Sequence, residues 1–265
     1  MSHGYDARTV IDNTHDRLGF VLIAAAVAGI GGYMQYLGAM RRGERDRSYS
    51  IPLATNLWNF AHDTTFVASY SSWYRSSDHD FWLLKLFWVG LIVFSIFEVV
   101  VIAQILRYGR HDLFPGRSLG EAFAIYAVLQ LMVYGIFWWF QDITNDPLEY
   151  YGLTITVIMA SAFNIPMMRA RGTRRGMSEF ILWGHVTLAL GFWGWMMLSA
   201  NHFCHPIYVM IAVGNIAVCF ESIRVFRSLP EWIPDHGTEL GCPLSERGRR
   251  RQTVHSGSCS ADMRR

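Results

Sequence analysis

Seven apolar runs alternate with polar connections along the chain, at approximately residues 18 to 40, 51 to 72, 81 to 106, 119 to 140, 152 to 169, 179 to 199 and 207 to 226. Each approaches the twenty or so residues that an α-helix needs to cross about 30 Å of hydrocarbon. The pattern predicts an all-α, seven-helix transmembrane bundle over residues 18–226. A polar segment precedes it at 1–17, and a tail rich in Arg, Pro, Gly and Ser follows at 227–265, expected to be cytoplasmic and disordered.

The connections give the bundle a direction. Residues 41–50, 107–118, 169–175 and the tail from 227 hold four, three, four and seven arginines, eighteen together. The N-terminus and the other connections hold three. Basic residues gather on the cytoplasmic side, so this asymmetry predicts the N-terminus outside and the C-terminus in the cytoplasm. Composition agrees, with 52% hydrophobic and 17% charged residues. A net charge of +2, concentrated in loops, suggests no nucleic-acid partner. Membrane lipids are the expected surroundings, in the cell membrane.

Local signals refine the helices. Ile51-Pro52 is a favourable helix start, and Ser118 with Glu121 three residues later forms a capping box. The Gly116-Arg117-Ser118-Leu119-Gly120 match to a hydrolase elbow is therefore read as a helix cap, since the motif needs a preceding strand. Ala24, Ala28 and Gly32, four residues apart, form a small-residue stripe for close helix packing.

Polar residues inside apolar runs are costly and mark function by default. Asn56, Asn59 and Asp63 share one face of the second run at i, i+3, i+7 spacing. Glu98, Gln130, Asn164, His185, Asn215 and Glu221 lie at similar depth on other helices, in the half nearer the arginine-rich loops. The depths predict a polar-lined cavity open to the cytoplasm, walled by Phe123, Tyr126, Tyr134 and Phe137 around Gln130. Asp63 is the leading candidate for an acid. Against it stands a structural role as a buried hydrogen-bonding group, and Glu98 invites the same alternative. Glu221 can pair with Arg224 one turn away.

Two other function classes remain open. His62 and His185 could ligate haem in an electron-transfer protein, although a histidine inside a helix is more often a core residue. Asp63 could serve a proton-coupled transporter, which the lack of an internal repeat disfavours. His202, Cys204 and His205 read as loop geometry rather than a metal site. No metal or cofactor is expected. The four cysteines show no paired spacing.

Asn59-Phe60-Ala61-His62-Asp63 resembles the Asn-x-x-Trp-Glu signature of the small integral membrane terpene cyclases, which include fungal meroterpenoid and indole diterpene cyclases and bacterial relatives acting on farnesylated indoles. Val218-Cys219-Phe220-Glu221 is similar to the run that carries that family's second acid. His62 replaces the family's Trp, and the two acids are exchanged, Asp63 for Glu and Glu221 for Asp. The resemblance implies a metal-independent cyclase that protonates a lipophilic prenylated substrate, with Asp63 and Glu221 as catalytic acids. Asn59, His62, Trp58, Glu98, Tyr126, Gln130, Tyr134, Trp183 and His185 would then contact the substrate, the aromatic faces stabilising carbocations by cation–π attraction.

Overall fold

The computed structural model describes residues 5–71 and 81–233, and within them the chain is helical. The connection 73–80 and most of the tail expected to be disordered lie outside the described residues. In chain order the helices are α1 (Ala7–Asp16), α2 (Leu18–Asp46), α3 (Leu53–Ala68), α4 (Trp82–Tyr108), α5 (Leu119–Thr144), α6 (Tyr150–Ala162), α7 (Asn164–Arg171), α8 (Glu179–Ser199) and α9 (Pro206–Ser228). Single helical turns follow α4 and α8, at Arg110–Leu113 and Asn201–Cys204.

Six helical spans are long and apolar enough to cross a membrane: α2, α4, α5, the α6–α7 pair, α8 and α9. The chain is a multi-pass membrane protein. The second predicted span differs from the rest. At 16 residues, α3 extends only about 24 Å at 1.5 Å per residue. Most of its side chains are buried, including Thr55, Asn56, Asn59, His62 and Asp63. It is a short, polar helix enclosed by α4, α5 and α6.

Cap chemistry sets several helix ends where the sequence placed them. Pro52 stands immediately before α3. Ser118 and Glu121 complete the capping box of α5, each side chain accepting from the other's backbone N–H. The α6–α7 span breaks at Phe163. Pro166 has no N–H to continue the ladder, and Asn164 Nδ2 donates instead to the Ala160 carbonyl at 3.0 Å.

The tightest helix pair is α2 with α8. A Cβ at Gly31 would lie 2.2 Å from the Leu188 backbone nitrogen, and one at Gly191 would lie 2.2 Å from that of Ala28. The small-residue stripe is therefore Ala24, Ala28 and Gly31, whereas Gly32 faces the Phe94 ring of α4. Helical geometry explains this correction. At about 100° per residue, a step of seven returns to within about 20° of the starting face, while a step of eight overshoots by about 80°.

Contacts knit the connections into two ends. At the arginine-rich end, Arg42 pairs with Asp46 at 2.7 Å, which also accepts from the Gly176 N–H. Arg171 donates to the Tyr49 carbonyl at 2.6 Å and lies over that tyrosine ring, and Arg174 donates to the Phe226 and Arg227 carbonyls. At the opposite end, Tyr5, just ahead of α1, reaches the connection between α5 and α6 and donates to Asp146.

Candidate functional site

Along α3 the polar side chains divide into two layers. The first is centred on Glu98 of α4, which is wholly buried. Tyr36 Oη of α2 donates to Glu98 Oε1, and Asn56 Nδ2 donates to Oε2. Asn59 Nδ2 donates to Tyr36 Oη at 3.1 Å. From α5, Tyr126 Oη donates to Asn56 Oδ1 at 2.7 Å, and Gln130 Nε2 donates to the Leu57 carbonyl at 2.9 Å. Four helices thus converge on one carboxyl group through interlocking amides and phenols. Burial of a carboxyl is tolerated where its lone pairs are met by donors, and both Glu98 oxygens are met.

The second layer lies one turn further along α3. His62 Nδ1 is 2.8 Å from Asp63 Oδ1. The imidazole is fully buried, and the Asp63 side chain retains 7% exposure. The His62 ring packs against Phe66 and Phe137, with centroids 5.3 and 5.7 Å away. Trp58 meets Phe137 edge to face at 5.3 Å and anchors its indole N–H on Thr156 Oγ1 at 3.1 Å. Tyr134 is half-buried, with its hydroxyl 2.5 Å from Thr64 Oγ1. Asp63 therefore stands between a polar layer and an aromatic wall.

The start of α6 closes this layer from the arginine-poor end. A Cβ on Gly152 would lie 3.2 Å from Gln141 Nε2 and 3.4 Å from His62 Cδ2, so the glycine leaves room for both side chains. Asp146 accepts from the backbone N–H groups of Tyr150, Tyr151 and Gly152 and from Tyr5 Oη. It fills the role of an N-terminal cap for α6. Burial raises the Asp146 carboxyl above its usual range, opposed by those donors. Glu149 immediately precedes α6 with a left-handed backbone, φ 53°, and is only 6% exposed. Burial, then the neighbouring Asp146 and Asp63 carboxylates, push its carboxyl up to about 9.

Both loop acids are buried, because Tyr5, just ahead of α1, packs onto the connection and helps shield it from water.

Other predicted residues fall elsewhere. Rather than one open cavity, the helices form separate packed polar clusters. Asn164 Nδ2 meets His185 Nε2 at 3.3 Å, and His185 Nδ1 meets the Ile181 carbonyl at 2.8 Å. Asn215 Nδ2 donates to Ser161 Oγ at 2.8 Å and Trp193 Nε1 donates to Asn215 Oδ1 at 3.1 Å. Distance along a helix gives depth but not the neighbour each face meets. His185 is engaged at both ring nitrogens away from His62, an arrangement that does not pair the two as axial ligands. Trp183 is 41% exposed on the outer face against Phe220, and Phe123 is exposed too. Glu221 pairs with Arg224 at 2.8 Å, the alternative its spacing allowed.

His202 Nε2, in the turn after α8, contacts the Tyr151 and Tyr208 hydroxyls at 2.8 and 3.0 Å. Among the described residues, no three His, Cys, Asp or Glu side chains converge as metal ligands. Tyr36, Gln141, Asp146 and Glu149 complete the site and were not anticipated. A buried acid after Asn145-Asp146-Pro147 carries no local signal, since the connection is covered by the distant Tyr5. Comparison with protein-family models, curated proteins and solved structures finds no match to this chain.

Proposed function

We propose that this chain is a membrane-bound, proton-initiated cyclase of the terpene-cyclase type, acting on a lipophilic substrate that carries a farnesyl-like chain on an aromatic or indole-like head. In this reading seven helices cross the cytoplasmic membrane, α3 being the polar seventh. The N-terminus lies outside and the arginine-rich end in the cytoplasm, as the distribution of basic residues favours. The observation that carries the proposal is the placement of Asp63, buried beside His62 and against the aromatic wall of Trp58, Phe66 and Phe137.

The chemistry follows from that placement. Asp63 delivers its proton to a terminal alkene or epoxide of the prenyl chain, leaving Asp63 as the carboxylate and a tertiary cation on the substrate. The next alkene closes a ring by attacking the cation, with aromatic faces stabilising the travelling charge. Loss of a proton from carbon ends the sequence, so product and substrate have equal mass. The terminating proton passes from carbon to water rather than to Asp63, so Asp63 ends a turnover as the carboxylate and must be recharged before the next. Glu98, held by Tyr36 and Asn56, fixes the position of α3 beneath it. The prenyl chain reaches Asp63 between α3 and α5, where Tyr134 is half-buried, and Glu221, paired with Arg224, is the second candidate acid, with a milder effect expected from Glu221→Gln.

The test is conversion of farnesylated and geranylgeranylated aromatics, with and without a terminal epoxide, by membranes holding wild type or Asp63→Asn. A product of unchanged mass and new retention time, made only by the wild type, is the expected result. Full activity in a folded Asp63→Asn protein would overturn it.

A further inference from the structure

Three buried polar atoms in the second layer have no hydrogen-bond partner: His62 Nε2, Gln141 Nε2 and Glu149 Oε2. His62 and Glu149 are each more than nine-tenths buried. Leaving such a group unmet costs about 1–3 kcal/mol, so their grouping around the start of α6 calls for an explanation that packing does not supply. His62 Nδ1 is already committed to Asp63. Its free Nε2 therefore points the imidazole's second nitrogen away from Asp63, toward the end of the bundle where Gly152 and Gln141 meet the ring. Glu149 stands less than one turn before Gly152, and it senses the Asp63 charge.

We propose that Glu149 holds the proton that recharges Asp63, passing it through His62. Glu149 Oε2–H gives its proton to His62 Nε2 across one water molecule, while His62 Nδ1–H gives its own to Asp63 Oδ1. Glu149 ends as the carboxylate, Asp63 as the neutral acid, and His62 as the opposite neutral tautomer; charge is conserved and no redox partner is required. The groups facing Glu149 favour the proton resting there before transfer. Asp146 on the same connection and Asp63 on α3 both raise its carboxyl, and burial removes competing water, so Glu149 is protonated at neutral pH. Tyr5, just ahead of α1 and hydrogen-bonded to Asp146, covers the connection. Glu149 acts through His62 and Asp63 and is a positioning and proton-holding residue, not one that touches the prenyl chain.

As a step of turnover this inference rests on the cyclase reading; the proton site itself does not. Infrared difference spectra of the full chain in lipid, titrated from pH 7 to 10, read the carboxylic-acid carbonyl band directly. The wild type should lose a protonated-carboxyl band with a midpoint near pH 9. Glu149→Gln should lack that band, and Asp63→Asn should move its midpoint to lower pH by removing the negative charge that Asp63 takes on once the rising pH has taken its own proton. A band unaffected by Glu149→Gln, or a midpoint that Asp63→Asn leaves in place, overturns the proposal. Should Glu149→Gln not fold, the Asp63→Asn shift carries the test.

In turnover, Glu149→Gln should keep KM and the single-turnover yield while steady-state kcat falls at least tenfold. Loss of the single-turnover yield would instead overturn the recharging role. Spectra as expected from a protein inert toward every prenylated substrate would retain the proton site and reject the cyclase.

Discussion

Tyr36→Phe removes one oxygen from the centre of the bundle and leaves the ring in place. That ring packs against Phe94 and Phe97, with centroids 5.3 and 5.9 Å away, contacts a phenylalanine keeps. The hydroxyl donates to Glu98 and accepts from Asn59. Its loss removes a hydrogen bond to a carboxyl group, about 1.5–3 kcal/mol, and leaves a buried amide donor unmet, about 1–3 kcal/mol. Within lipid these values shrink, because separated helices find other partners and single interhelical hydrogen bonds average only about 0.6 kcal/mol. The expected cost is therefore about 2–4 kcal/mol, a change of about thirty- to several-hundred-fold in the unfolding equilibrium.

Reversible unfolding in mixed micelles titrated with sodium dodecyl sulfate measures it, with Tyr134→Phe as the comparison. Tyr134 makes one hydroxyl contact, to Thr64, at a half-buried position, and its change should cost below about 1 kcal/mol. A double-mutant cycle of Tyr36→Phe with Glu98→Gln should show at least about 1 kcal/mol of coupling, within the range of residues sharing one network. If Tyr36→Phe cost no more than Tyr134→Phe, or the two network changes were additive, Glu98 would not be the anchor of the bundle.

Gly191→Ala should destabilise the protein by about 1–3 kcal/mol or more, because its Cβ would meet the α2 backbone at 2.2 Å, whereas Gly194→Ala, whose nearest neighbour is the Ala24 Cβ at 3.6 Å, should be close to neutral; thermal unfolding of the two in one detergent compares them. The Glu149 carboxyl is raised from 4.5 to about 9. Between those values the unfolded chain has lost a proton that the folded chain keeps, so stability should fall with rising pH across that window and level off above it. Glu149→Gln should remove this contribution, giving a shallower pH profile and greater stability than wild type near pH 8. Asp146→Asn should fray the start of α6, since one amide oxygen replaces two carboxylate oxygens that accept from three backbone N–H groups, and amide hydrogen exchange at Tyr150 to Gly152 would register it.

Features set by a few adjacent residues were the most legible in the sequence. The Ser118 and Glu121 cap, the start after Pro52 and the limits of the apolar spans depend on local chemistry and appear where the pattern placed them. Asp63 and its neighbours on α3 were readable because an acid inside an apolar run is costly. What the pattern lacked was azimuth. Asn164, His185 and Asn215 share a depth with Glu98 but face α6, α8 and α9, so one supposed cavity becomes separate clusters. Asp146 and Glu149 were hidden for another reason: a loop acid reads as solvated until a distant residue, here Tyr5, is known to cover it.

The two layers along α3 make opposite use of buried polarity. Around Glu98 both oxygens are met, and the network holds α2, α3, α4 and α5 in one register. Partial satisfaction is worse than none for a structural core, and by that standard the first layer is structural. One turn away, His62, Gln141 and Glu149 together leave three polar atoms unmet. At about 1–3 kcal/mol each, their combined cost is comparable to the net stability of a whole domain, about 5–15 kcal/mol. A scaffold that needed only rigidity would have gained by filling those positions with apolar side chains, as the wall of Phe66, Phe137 and Trp58 does beside them. Retained unmet capacity next to an acid is the arrangement expected where a proton must be able to leave one group and arrive at another, and α3 sets that mobile layer directly on the rigid one.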